Sequence, residues 1–347
     1  MAAVIILHHS GALLGYHISP AFHGYMAVEF FFIVSGYLMM KTIAKTETVP
    51  TSQPLEKETW TFLKRKFTSV FPEVAIAFLL SLLLCVCCLR HPVPELLRWS
   101  FHGFWNDCLL LRSTAVVPWE GFNGVTWYIS SMLLCMALLY PVFRRFRSAP
   151  FIAMASLLLL GLLYRETVQF HSPHTWMGLC YKANLRALCG ISLGAFAYGA
   201  ARHMGSKQWT RPARFLAMIL KNLIGAFLLC YMLLRHSIAA DGAITLLIWA
   251  YVVIVFSGVS PDSTLFSHAV FRLLGRLSLP LFLSHVYLTR VGKELFPADW
   301  SLCEKLLIYG MLVAASTAVV VLASAILRRY SGALWGMLIQ RRSNPSE

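Results

Sequence analysis

Charge is the scarcest commodity in this sequence. Asp, Glu, Lys and Arg make up 13% of its 347 residues, where a soluble domain carries about 25%. That leaves too little polar surface to coat a water-soluble globule, and it excludes a cytosolic enzyme and a disordered chain. Cysteine is present, nine in all, but without a zinc-type CxxC pair. Cys85-Val86-Cys87-Cys88 is too tight, and most cysteines fall in apolar runs as small hydrophobes. A metal site and a disulfide scaffold are not expected. There is no GxSxG elbow, no HExxH and no GxxxxGK[ST] loop, which disfavours a serine hydrolase, a metal-dependent hydrolase and a nucleotide-driven pump. The first apolar segment lacks a basic flank and a small-residue cleavage site, so a cleavable signal peptide is not expected. No internal repeat at fixed period is visible, which argues against a solenoid or a simple duplicated transporter.

What fills the sequence instead is apolar. Hydrophobic residues make up 58% and the mean hydropathy is +0.66. Uninterrupted runs such as Val74 to Leu89 lack the alternation of a membrane β-barrel. The expected fold is all-α and polytopic, with about ten transmembrane helices. The candidate stretches are Met1–Gly15, Tyr25–Ala44, Pro72–Leu89, Gly124–Phe143, Pro150–Tyr164, Ala183–Ala201, Phe215–Leu234, Ala239–Gly258, Leu277–Val291 and Lys305–Leu327. Residues 1–330 form the membrane domain and 331–347 a cytoplasmic tail, with Tyr330 to Arg342 a candidate surface helix.

The net charge of +15 fits this count. With both termini cytoplasmic, twenty of the 30 Lys and Arg residues fall in inner segments, as the positive-inside bias requires. The expected location is the cell inner membrane. No basic stripe interleaved with aromatics lies in a soluble segment, so nucleic acid is not an expected partner. Leu55 to Phe71 mixes aromatics with charges and suits a separate amphipathic helix at the inner surface. Pro92 to Leu111 is a weaker interfacial candidate outside, and Thr48–Pro54 reads as a linker.

Polar residues inside spans are costly and mark function by default. Four places qualify: His8-His9 in the first span, Glu29 in the second, Ser284-His285 in the ninth and Asp241 at the end of the eighth. His8 and His9 lie about 12 Å along the helix from Met1, near mid-bilayer. Each has a plainer reading: a neutral histidine bonded to a carbonyl, a carboxylate pairing with a cation, an interfacial aspartate, or Gly36 as a small residue in helix packing. The chemical reading joins an imidazole to a carboxylate as a general base near neutral pH. Such a base deprotonates a hydroxyl for attack on an activated acyl group. Lys64-Arg65-Lys66, ahead of Pro72, anchors to anionic headgroups or clamps the phosphates of acyl-coenzyme A.

Glu29, Phe31-Phe32 and Ser35-Gly36-Tyr37 together resemble the second-span signature of the acyltransferase-3 family of integral membrane O-acyltransferases. His8 or His9 matches its first-span histidine, and Arg65, Lys66 and Pro72 match its basic run before a proline. Trp127 with Tyr140-Pro141 and Ser278 to His285 resemble two later segments. The resemblance covers nearly the whole chain. It implies transfer of an acyl group, usually acetyl from acetyl-CoA, to a hydroxyl of a cell-surface or exported carbohydrate, with no bound cofactor. His9 or His8 is then the base and Glu29 orients it. Arg65, Lys64 and Lys66 hold the donor phosphates. Ser35-Gly36 brings the second helix close to the first on the donor side, and His285 and Trp127 belong to a possible second site. The expected partners are acyl-CoA, a carbohydrate acceptor and membrane lipid. The sequence departs from the pattern at Ser69, where the family has a second Arg, and at Met132, where it has Glu. The family's Arg ahead of the first-span histidine falls before Met1. Two other readings stay open: a transporter or flippase of a lipid-linked sugar using His and Glu as a proton relay, and a catalytically silent scaffold.

Overall fold

The computed structural model describes residues 1–14, 21–47, 53–88, 92–166, 175–176, 180–234, 240–260 and 268–343, of which 14, 47, 165–166, 176, 180 and 331–343 are described by backbone alone. Gly15, Thr48 to Ser52 of the expected linker, Leu89, Ala239 and the last four residues of the tail lie outside it. The helices are α1 (Ala2–Leu14), α2 (Ala27–Glu47, preceded by a 3-10 turn at Gly24–Met26), α3 (Leu55–Cys88), α4 (Val93–Gly103, continued by a π turn at Phe104–Cys108), α5 (Thr126–Arg145), α6 (Ala149–Glu166), α7 (Lys182–Gly205), α8 (Arg211–Leu233), α9 (Asp241–Ser257), α10 (Ala269–Leu295) and α11 (Leu302–Ser343). Two-residue strands β1 (Thr175–Trp176) and β2 (Cys180–Tyr181) pair antiparallel, Thr175 opposite Tyr181.

Every one of the ten apolar stretches falls on its own helix. Among the described residues, six of these helices are long and apolar enough to cross a bilayer: Gly24–Thr46, Leu55–Cys88, Thr126–Arg145, Arg211–Leu233, Ala269–Leu295 and Leu302–Tyr330. The apolar helices at Ala2–Leu13, Ala149–Tyr164 and Asp241–Ser257 are shorter, and α7 carries Asn184 and Arg186 in its first turns. The chain is a multi-pass, all-α membrane protein; six crossings rest on length and composition, and ten stays an expectation.

Two boundaries differ from the sequence expectation. Leu55–Phe71 is not a separate surface helix, because α3 runs through Pro72 as one helix of 34 residues, about 51 Å long. Its first half is built into the bundle. Thr59 and Phe62 are buried, Phe62 stacks on Tyr140 at 4.4 Å, and Glu58 accepts from Tyr140 Oη at 2.7 Å and from Arg144 Nε at 3.1 Å. A flat helix at the membrane surface makes none of these contacts. Proline in a membrane helix is tolerated where neighbours satisfy the freed backbone. Pro72 frees the carbonyl of Thr68; beside it, Arg328 of α11 ties the two helices together by donating to Ser69 O at 2.8 Å and to Glu73 Oε2 at 2.6 Å. The second difference is at the C-terminus, where α11 continues unbroken through Tyr330 to Ser343.

The centre of the bundle is the crossing of α2 and α7. A Cβ added at Gly36 would collide with the Ile191 backbone, and one at Gly194 with the Ile33 carbonyl. A Cβ at Gly190 would lie 2.5 Å from Phe32 Cβ. Small residues let membrane helices approach closely where apolar burial alone supplies no drive. Gly36 therefore packs α2 against α7, not against α1 as expected from the sequence. Gly36→Leu is expected to force the two backbones apart, an overpacking cost of about 1–3 kcal/mol or more. Thermal unfolding of the detergent-solubilised variant measures it, and an unchanged midpoint contradicts this contact.

Candidate active site

α1 carries the two histidines at adjacent positions, about 100° apart around the helix, so they point in different directions. The Nδ1 of His8 lies 2.8 Å from Ala21 O, and its ring packs against Tyr25 at 5.7 Å. The 3-10 turn approaches closely here, since a Cβ at Gly24 would stand 2.6 Å from His8 Cβ. His8 is thus tied to the connection between α1 and α2. His9 faces the other way. It lines a cavity of about 440 Å³ together with Trp99, Thr289, Arg290, Lys293 and Glu294. Among the described residues neither nitrogen of its ring has a hydrogen bond. Its ring lies 5.1 Å from that of His285.

His285 is fully buried in α10. Its Nδ1 lies 2.6 Å from Phe282 O, which makes Nδ1 the protonated nitrogen and leaves Nε2 as an acceptor. Nε2 has no partner among the described residues. Thr289 Oγ1 donates to His285 O at 3.0 Å, and Asn123 Nδ2 donates to Leu283 O at 2.8 Å. The latter bond ties α10 to a loop that is itself rigid. In that loop Asp107 accepts from Arg112 Nη2 at 2.5 Å and from the amides of Phe122 and Asn123 at 2.8 and 2.9 Å. Tyr309 Oη of α11 donates to His285 O at 3.3 Å, so α10 is held near the histidine by both the loop and α11.

Glu29 is elsewhere. The carboxylate expected to orient His9 is instead bound by Arg186 of α7, whose Nε donates to Glu29 Oε1 at 2.7 Å. Both side chains are buried. Arg186 also donates to Tyr25 O at 3.4 Å and lies 5.0 Å over the Trp127 ring. So Trp127, expected in a second site, belongs to the Glu29 pair, while His285 joins His9. The histidine–carboxylate associations that form are elsewhere: His102 with Glu120 at 2.8 Å, and His23 with Asp241 at 3.7 Å. Asp241 also accepts from Tyr25 Oη at 2.6 Å and Tyr231 Oη at 2.9 Å. Arg186 was legible as an arginine in the sixth apolar stretch, where a buried charge marks a partner. His23 and Tyr25 stand at the edge of the second stretch and carried no such signal.

The basic run is at the opposite end of α3 from the cavity. Lys64 and Arg65 are exposed and Lys66 is half-buried, with Lys66 Nζ 5.9 Å from the Phe62 ring. Cys85, near the other end of the helix, is reached by Arg290 of the cavity. Lys66 and Cys85 are about 28 Å apart along the helix, close to the ~30 Å thickness of a hydrocarbon core. Ser35 is not beside the basic run. Its Oγ pairs with Tyr128 Oη at 3.2 Å and donates to Met132 Sδ at 3.4 Å on α5.

With this arrangement in view, the comparison with known families is decisive. The acyltransferase-domain family model matches residues 1–329. The chain belongs to the acyltransferase-3 family. No curated protein and no solved structure matches it. This acyltransferase has the membrane-embedded helices, the first-span histidine and the second-span Glu29 to Tyr37 segment on which the sequence resemblance rests. Membership favours group transfer over transport, and Glu29 is paired with Arg186 and not with a histidine. At Ser69, where the resemblance expects a second Arg, Arg328 of α11 supplies a guanidinium from another helix. No cluster of three or more His, Cys, Asp or Glu side chains suited to a metal occurs among the described residues.

Proposed function

We propose that this acyltransferase moves an acyl group, acetyl in the simplest case, from acyl-CoA to a hydroxyl of a cell-surface or exported carbohydrate at the cell inner membrane. One observation carries the reading: His9, unbonded at both ring nitrogens among the described residues, faces a cavity beside the buried His285. The acceptor hydroxyl gives its proton to an imidazole nitrogen of His9. The oxygen attacks the thioester carbonyl carbon, an ester C–O bond forms and the C–S bond breaks. The leaving thiolate takes the proton from the imidazolium, which restores the neutral base. His285 supports this step as a neutral wall, since its Nδ1 proton is committed to Phe282 O. His9, and not His8, is the base in this reading, because His8 faces Ala21 and Tyr25.

Lys64, Arg65 and Lys66 are the cations offered to the donor phosphates; Arg328, near Ser69, is ion-paired with Glu73. Both termini and the basic run then face the cytoplasm, where acyl-CoA resides, and the His9 cavity opens toward the other face. The full chain in nanodiscs, given acyl-CoA labelled in the acyl group, is expected to label a carbohydrate and release CoA. Failure to label any carbohydrate in a preparation that folds contradicts the proposal. Arg65→Ala is expected to raise the KM for acyl-CoA several-fold, as loss of one exposed phosphate contact does, with kcat little changed. An unchanged KM places the donor elsewhere.

A further inference from the structure

The cavity at His9 has a chemical character that acyl transfer alone does not require. Arg290, Lys293 and Glu294 line it from α10, and Trp99 lines it from α4. Arg290 and Lys293 are three residues apart and share one helix face. Neither makes an ion pair among the described residues, and neither does Glu294. The Arg290 guanidinium lies 5.1 Å over the Trp99 ring and also hydrogen-bonds the Cys85 side chain; with five N–H donors on one planar group, others remain for a planar anion. Two unpaired cations against one carboxylate leave the rim with a positive excess. The volume of about 440 Å³ falls within the ~300–1,000 Å³ of small-molecule sites.

We infer that this cavity is the acceptor subsite and that it takes an acidic carbohydrate, one bearing a carboxylate or phosphate. The anion sits between Arg290 and Lys293, a sugar face packs on Trp99, and Glu294 accepts from a second hydroxyl. The hydroxyl to be acylated then lies at His9. The inference rests on the acyltransferase reading above. A neutral sugar gains nothing from the two cations, whereas a charge-assisted contact contributes about 1.5–3 kcal/mol, or roughly tenfold or more in affinity.

The test uses the full chain in nanodiscs, acyl-labelled acetyl-CoA, and three acceptors of one skeleton: glucose, glucuronate and glucose 6-phosphate. Both anionic sugars are expected to show a KM at least about tenfold below that of glucose. Arg290→Gln and Lys293→Gln are expected to remove that preference, and Arg290→Lys to keep part of it. Each variant is first checked for a monodisperse elution profile. Equal use of the three sugars, or a preference that survives both glutamine variants, overturns the proposal. Equilibrium binding of glucuronate without donor separates the two readings. Binding that is lost in Arg290→Gln, in a preparation that transfers nothing, sinks the transfer chemistry and leaves the subsite standing. The assay is repeated in nanodiscs of phosphatidylcholine alone and with phosphatidylglycerol. An Arg290→Gln defect confined to the anionic lipid assigns these cations to headgroups and overturns the inference.

Discussion

His9→Ala is expected to lower acyl transfer by about 10²–10⁴-fold at saturating donor and acceptor, the range a positioned general base contributes. The reason is geometric: the ring lines the cavity and neither nitrogen is engaged elsewhere among the described residues. His8→Ala should behave differently. It removes the bond to Ala21 O, which costs about 1 kcal/mol of stability, and it leaves the cavity wall intact. The contrast is measured by labelled transfer together with thermal unfolding of each variant. If His8→Ala abolished transfer at normal stability while His9→Ala kept it, the assignment of the base would be reversed.

The second large effect is on stability. Arg186→Met leaves the Glu29 carboxylate buried without its cation, at a cost of about 3–5 kcal/mol. Glu29 is fully buried and Arg186 nearly so, so water cannot take the place of either partner. The double variant Glu29→Gln, Arg186→Met removes both charges and is expected to recover most of that loss, because replacing a whole buried pair is often close to neutral. Unfolding midpoints in detergent, compared across the single and double variants, provide the check. Equal midpoints for the two would show that the ion pair does not govern stability here. Arg186 also reaches Tyr25 O, and Tyr25 donates to Asp241. The single variant is therefore expected to loosen the turn that positions His8.

These two residues show how unevenly the site can be read from sequence. His9 stands out on composition alone, since an imidazole in an apolar run is expensive. Its choice over His8 does not, because both sit in the same run and a helix turns adjacent residues by about 100°. Glu29 was equally visible, yet its partner lies on a helix 157 positions further along the chain. Proximity in sequence suggested the histidines, whereas α2 packs on α7 through Gly36, Gly190 and Gly194. The acceptor cations were the least visible of all. Arg290 and Lys293 near the end of a span read as ordinary flanking charge.

Scarce charge and long apolar runs decided by themselves that this chain is a helical membrane protein, because unpaired backbone in lipid leaves a helix as the one stable form for such runs. The second-span segment decided the family. Which histidine faces a cavity, which cation holds Glu29, and the continuity of α3 through Pro72 were decided only by the packing of helices distant in sequence. Side-chain periodicity fixes the faces of each helix, but the partner of each face depends on contacts that no local pattern encodes.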